Sequence, residues 1–366
     1  MTTTDCVVTE RSMPFWCFQY RGTDPFGSDV LPEIPSVDAA RLLAKAAENG
    51  LITMTSFHDD DLVLWDPNNL DDDLDQNSSV YATLREIKQI LDSAGLRVNT
   101  ATCSLHGHPM FRAGGLTNAD PEIRRLAIKK IERTLRIGAF FGAQYFTYWV
   151  ARDGFEVPVI VQWDQVYPWI VEGLNTAMNY IREMKFTNYI GATIEPKPNE
   201  PRGQMFIPTS GHAAALISLL DNPGFWGVNP ELLQHESMCL LNASITVSFL
   251  CSLQKLFFLH FGSQIKGQFD NDFPPLVGPE GVKETVFMFR TLKQLGWKGV
   301  VEFDCHMLRS ETDPNDPDES RYQFIKNCID ALNLALELSN RIKDPKKGLT
   351  QTAADIESIK QMCSIT

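Results

Sequence analysis

The stretch YIGATIEPKPNEPRG, residues 189–203, decides how this chain is read. An apolar, β-branched run through Ile194 ends in Glu195 and passes directly into a proline-studded loop. A run of that length and composition is a buried strand. A carboxylate at its end needs a partner. Lys197, two residues on, points to the same side of an extended segment as Glu195 and so reads as a site lysine. Outward from this strand the same unit repeats. Strands are expected at Phe15–Tyr20, Leu51–Phe57, Arg97–Cys103, Tyr145–Val150, Tyr189–Pro196, Phe225–Glu231, Leu256–Phe261 and Gly299–Cys305.

Helical patterns fill the intervals. Val37–Asn49 follows Ser36 as N-cap and stops at Gly50, and Tyr81–Ser93 stops before Gly95. A long helix opens at Asp120-Pro121, an N-cap followed by proline in the first turn. Further helices are expected at Tyr167–Met184, Gly211–Leu220, Ser237–Leu253, Gly281–Leu295 and Arg321–Ile342. Strict strand–helix alternation of this length is an α/β protein of the (β/α)8 TIM barrel class, with the barrel in residues 1–343 and a short C-terminal tail in 344–366. An open doubly wound sheet would carry a glycine-rich turn after its first strand, and none is present. Asp59–Ser79 is an acidic, Asn-rich loop long enough to be functional or partly mobile.

The chain has 366 residues, 43% apolar and 22% charged, typical of a globular protein with a large core. With 33 Lys+Arg against 46 Asp+Glu its formal charge is −13. That balance argues against duplex nucleic acid and against an anionic membrane surface. The most apolar stretch, Ile245 to Phe261, is broken by Gln254 and Lys255 and is too short to span a bilayer. The N-terminus lacks the apolar core of a signal peptide. Eight cysteines with no CxxC spacing read as buried small hydrophobes in a reducing compartment, which makes the cytoplasm the expected setting.

A barrel places its active site at the C-terminal ends of its strands, and the ionisable residues collect there. His58 and Asp61 follow strand 2, and His106 and His108 follow strand 3. Trp149 ends strand 4, Glu195 ends strand 5, Glu231 ends strand 6 with His235 four residues on, and His260 ends strand 7. Asp270 and Asp272 come next, then Asp304 with His306 at the end of strand 8. Carboxylates and imidazoles converging from several strands suggest a divalent metal site, because like charges share a cavity only when protonated or neutralised. Asp59, Asp60 and Asp66 read as solvated loop acids. His58 is either a loop histidine or a base whose ring Asp61 orients. Trp16 and Trp149 suit either the core or the walls of a sugar pocket.

At GTDPFG (22–27), FHDDDL (57–62), IEPKPNEPRG (194–203) and GVNPE (227–231) the sequence resembles the xylose isomerase family, in its shorter form, from Phe15 to about Asp344. That resemblance implies a metal-dependent (β/α)8 barrel interconverting aldoses and ketoses by a 1,2-hydride shift. It implies that His58 and Asp61 open the cyclic sugar and that Lys197 sits near its carbonyl oxygen. Glu195, Glu231 and Asp304 match ligands of a first metal; Glu231, His235, Asp270 and Asp272 match ligands of a second. Trp16 and Trp149 match aromatic walls, and Phe26 matches an aromatic inserted from a neighbouring subunit. One or two divalent ions (Mn, Mg or Co) and a homodimer or homotetramer follow.

The sequence also departs from that pattern. His260 stands where the family has an aspartate ligand, His106 replaces a pocket phenylalanine, and His306 replaces a lysine. One extra residue separates Glu231 from His235, and the tail is shorter than the family's arm. The order Glu195, Glu231, His260, Asp304 resembles the single-metal site of ketose 3-epimerases and related barrels. An imidazole in place of a carboxylate shifts preference from Mg²⁺ towards Mn²⁺ or Co²⁺. Two activities are therefore expected in competition: an aldose–ketose isomerase, or an epimerase or lyase working by proton transfer on a sugar or oxidised glycoside. A catalytically inert barrel, the third reading, predicts no tight divalent metal.

Overall fold

The computed structural model describes residues 7–19, 30–266, 268, 270–342 and 360. Eight barrel strands run parallel: β1 Val8–Ser12, β2 Met54–His58, β3 Arg97–Thr102, β4 Tyr145–Trp149, β5 Gly191–Glu195, β6 Trp226–Val228, β7 Leu259–Phe261 and β8 Gly299–Phe303. Their order in the sheet is β6-β5-β4-β3-β2-β1-β8-β7. Parallel bridges Val228↔Leu256 and Glu231↔His260 join the two ends and close the barrel. Each strand leads to a helix on the outside: α1 Ser36–Glu48, α2 Ser79–Ser93, α3 Pro121–Phe141, α4 Val166–Glu183, α5 Ser210–Ile217, α6 Ala243–Ser252, α7 Gly278–Gln294 and α8 Pro317–Arg341.

Local chemistry accounts for most of these boundaries. Asp120 caps α3 by accepting from the Glu122 N–H at 2.8 Å, Pro121 opens the first turn, and Gly142 at φ 72° ends the helix. The first turn of α1, by contrast, already contains Ser36; Pro35 holds the cap position without a side-chain bond.

Two elements differ from expectation. The first strand is Val8–Ser12, and Trp16–Gln19 is a helical turn. The apolar run Phe15–Phe18 looks strand-like, but it follows Pro14 and packs wholly in the core, whereas the true strand carries Glu10 and Arg11. Trp16 thus belongs to the rim after β1, not to a strand. The expected helix Ser237–Leu253 is broken in two. His235–Met238 forms one turn, Leu240 turns left-handed at φ 58°, and Asn242 starts α6 afresh by accepting from the Ser244 N–H at 3.0 Å.

Asp59 is not solvated. It is fully buried and paired with Lys130 of α3, while Arg133 holds Asp72 at 2.9 Å and Arg136 grips both oxygens of Asp73 at 2.9 Å. The acidic loop is thereby pinned to one face of α3. Cys17, Cys103, Cys305 and Cys328 are buried free thiols, and Cys239 and Cys251 are free and half-buried. No helix among the described residues is long and apolar enough to cross a membrane. Phe26 and, apart from Lys360, the tail 344–366 lie outside the described residues.

Candidate active site

A cavity of about 190 Å³ opens at the C-terminal ends of the strands. Its scale suits one small polar molecule rather than a polymer. Strand ends supply its walls because β-sheet register sets them side by side: His58 pairs with Thr102, and Trp149 with Glu195. The loop after β5 is folded back by the Lys197 N–H donating to Ile207 O at 3.1 Å and the Met205 N–H to Pro198 O at 3.0 Å. The same loop reaches the β7 loop, where Glu200 accepts from the Asp270 N–H at 3.0 Å.

The aromatic wall is built from Trp16, His58, His106 and Trp149. Trp16 lies 4.6 Å from the His58 ring and Trp149 lies 4.9 Å from that of His106. His58 and His106 meet edge to face at 5.5 Å. Asp61 accepts from the His58 backbone N–H at 2.7 Å, and its Oδ2 lies 3.2 Å from Nδ1 of the ring. Burial disfavours a charged His58, but Asp61, helped by Asp304 and Glu195, outweighs it and raises the pKa above the ordinary histidine value. Burial, with His58 adding to it, drives His106 the other way, well below that value. The wall therefore offers one basic and one neutral imidazole.

The acidic side holds three donor groups whose ligand atoms lie within 4.8 Å of one another: Glu195, His260 and Asp304; Glu195, Glu231 and His235; and His235, Asp270 and Asp272. The extra residue before His235 does not turn it away, since Nδ1 lies 2.7 Å from Glu231 Oε2 and Nε2 lies 3.4 Å from Asp270 Oδ2. His260 Nδ1 lies 2.8 Å from Asp304 Oδ2 and 3.5 Å from Glu195 Oε2. Trp16 donates its indole N–H to Asp304 Oδ1 at 2.7 Å, so it braces a carboxylate as well as forming a wall. Lys197 is paired with Asp270, and its ammonium lies 5.8 Å from the centroid of Trp149. His306 lines the cavity 3.6 Å from Asp272, a residue held left-handed at φ 43°.

Electrostatics tests whether these residues fit a divalent ion. Burial and the nearby Asp304 and Asp270 push Glu231 up to about 7 even against His235. Burial and the charges of Asp270 and Glu231 push Asp272 well above the carboxylate range. Asp304 escapes: against burial, His260 and Trp16 hold it down at about 2. Burial alone would disfavour charged imidazoles, yet Glu231 on His235 and Glu195 on His260 hold both rings well above the ordinary value. Glu231 Oε1 and Asp270 Oδ1 are buried and make no hydrogen bond. Unpartnered hard donors beside excess negative charge are what a divalent cation satisfies. The donor set fits one.

Four contributors escaped the sequence reading. Thr102 lines the cavity. Asn229 donates to Glu195 Oε2 at 3.1 Å, and Gln234 donates to Asp272 Oδ1 at 3.1 Å and to Asp304 O at 2.5 Å. Glu302 faces His260 from below. The two-residue spacing that marks Lys197 beside Glu195 also marks Glu302 beside Asp304; nothing comparable marks Gln234.

The xylose isomerase of Thermus thermophilus is 32% identical over 315 residues, covering 86% of this chain and 76% of that protein. Among solved structures, a D-psicose 3-epimerase from Clostridium cellulolyticum superposes with a TM-score of 0.60 at 12% identity, over 89% of this chain and 98% of that one. A 3-keto-D-glucoside 4-epimerase from E. coli does so with a TM-score of 0.56 at 14% identity, over 87% and 99%. At such identities the structures speak to the fold alone. The family model for xylose isomerase-like TIM barrels matches residues 43–328, and the chain belongs to that family.

Proposed function

We propose that this chain is a divalent-metal-dependent sugar isomerase that interconverts an aldose and a ketose by a 1,2-hydride shift. The observation that carries the reading is the convergence of the donor groups and Lys197 on one small aromatic-walled cavity. The extent of its likeness to a xylose isomerase, 86% of the chain, supports it. Glu195, Glu231, His260 and Asp304 would hold a first ion; Glu231, His235, Asp270 and Asp272 would hold a second. Divalent ions bound there supply Lewis-acid polarisation of the sugar's carbonyl and hydroxyl oxygens. With an imidazole among the ligands, Mn²⁺ or Co²⁺ is preferred to Mg²⁺.

The remaining chemistry belongs to side chains. His58, oriented by Asp61, takes the proton of the anomeric hydroxyl as the ring C–O bond breaks and returns it to the freed ring oxygen, which opens the cyclic sugar. Lys197, which burial would discharge but Asp270 keeps charged, donates to the carbonyl oxygen. Trp16 and Trp149 cover the sugar and exclude water, so that hydrogen moves between adjacent carbons without exchange. In this reading the enzyme works in the cytoplasm as a homodimer or homotetramer, with Phe26 completing a neighbour's cavity.

One observation favours a second reading. Glu195, His260 and Asp304 by themselves form a mixed acid–imidazole group, enough to serve one ion. The chain would then be an epimerase or lyase in which a glutamate or histidine removes a proton beside the carbonyl. Turnover in D₂O separates the two. A hydride shift leaves the migrating hydrogen in the product; substantial deuterium at the product carbon would overturn the isomerase reading in favour of proton transfer.

A further inference from the structure

Glu302 lies on β8 two residues before Asp304, fully buried inside the barrel beneath the cavity. Its Oε2 accepts from Ser12 Oγ at 2.6 Å, from Asn99 Nδ2 at 2.8 Å and from Ser56 Oγ. Those donors come from β1, β3 and β2, so three strands clamp one oxygen. The other, Oε1, is left facing His260 Nε2 at 3.1 Å across the β7–β8 register. Asn229 Nδ2, one of whose hydrogens goes to Glu195 at 3.1 Å, also approaches Nε2, but at the longer distance of 3.4 Å. The carboxylate, which only accepts, is the nearer partner. The opposite ring nitrogen, Nδ1, faces Asp304 Oδ2 at 2.8 Å and Glu195 Oε2 at 3.5 Å.

A neutral imidazole has one N–H and one lone pair, and the partner of the first decides where the second points. We propose that Glu302 is a positioning residue: it holds the proton of His260 on Nε2 and so aims the Nδ1 lone pair at a divalent cation between Glu195 and Asp304. This rests on the metal reading of the cavity. The clamp gives the carboxylate no freedom to turn, so the ring is oriented before the ion arrives and the Nδ1 proton is the one the ion displaces. Orientation of a ligating histidine through its far nitrogen is worth about 10–100-fold in affinity.

Glu302→Gln tests this. The amide oxygen keeps the three donors from Ser12, Ser56 and Asn99, which leaves the NH₂ group facing Nε2. His260 then accepts at Nε2 and carries its proton on Nδ1, where it blocks the ion. The metal-stripped variant is expected to stay folded, while its Mn²⁺ affinity by calorimetry falls about 10–100-fold and the visible spectrum of its Co²⁺ form changes. In a His260→Asp background no tautomer remains to be fixed, and the same Gln substitution should change affinity by less than about threefold. Unchanged Mn²⁺ affinity in Glu302→Gln, or an equal loss in both backgrounds, would overturn the proposal. A readout needing no variant is ¹¹³Cd-loaded, ¹⁵N-histidine-labelled wild type: cadmium coupling to Nδ1 of His260 is expected, and coupling through Nε2 overturns it. Absence of any Mn²⁺ binding by the wild type would instead take down the metal reading itself, an outcome distinct from the other failures.

Discussion

Two clusters of buried acids lie on the same barrel and are neutralised in opposite ways. Under the β2–α2 connection, Asp59, Asp60, Asp72 and Asp73 meet Lys130, Arg133 and Arg136 from a single face of α3. In the cavity, Glu195, Glu231, Asp270, Asp272 and Asp304 meet, among the described residues, one permanent cation, Lys197, with histidines as the other charge-bearing partners and neutral donors from Trp16, Asn229 and Gln234. The first cluster supplies permanent cations to its acids from within the polypeptide, although both terminal nitrogens of Arg133 make no hydrogen bond, and it serves the fold. The second leaves donor atoms unsatisfied and uses protonatable rings as stand-ins for charge, the condition of a site that completes itself by binding something.

The largest expected effect strikes the cavity. Lys197→Ala should lower turnover by about 10²–10⁴-fold, the scale of one lost proton-handling group, with an unchanged far-UV spectrum. Unchanged turnover would remove the lysine from the mechanism. The matching change in the other cluster, Lys130→Ala, should do the reverse. Stripping a buried pair of one partner costs about 3–5 kcal/mol, seen as a lower urea midpoint, while Mn²⁺ affinity stays put. Were Mn²⁺ affinity to collapse with Lys130, the two clusters would not be independent.

Smaller effects sharpen the contrast. Saturating Mn²⁺ at a hundred times its Kd should stabilise the fold by about 2.7 kcal/mol, a gain that Lys130→Ala retains and Glu195→Gln loses. His260→Asp should move metal preference towards Mg²⁺; an unchanged preference would put His260 outside the ligand set. The smallest effect is a tilt with pH. His235 and His260 have folded-state pKa values above the histidine reference of 6.5, so the folded chain binds more protons than the unfolded one above that pH. Their contribution is fully present below 6.5 and is lost as pH rises through the raised values. The metal-free protein should thus lose thermal stability as pH rises above 6.5, and Mn²⁺ should flatten the slope.

This contrast also explains what could be read from the sequence. The strand after which Glu195 and Lys197 emerge and the position of Asp304 follow from local patterns, because strand ends have fixed geometry. His235, Asp270 and Asp272 are legible as ligands only through the family resemblance, and the extra residue before His235 leaves its place open. Asp59 could not be read from local patterns. Its partner Lys130 is 71 residues distant on a helix whose buried face is basic, so local composition labels it a surface acid. The first strand failed for a related reason: Glu10 and Arg11 hide it, while the core-packed Phe15–Phe18 imitates it. Gln234 was invisible because it acts from an irregular turn, where no period announces direction.

The account turns on the claim that the cavity's charge is completed by a divalent cation. Calorimetric titration of chelator-stripped protein with Mn²⁺ tests it most directly. Saturable binding of one or two ions per chain is predicted, abolished or severely weakened in the Glu195→Gln, Asp304→Asn double variant. No binding, or binding that the double variant leaves intact, would contradict it.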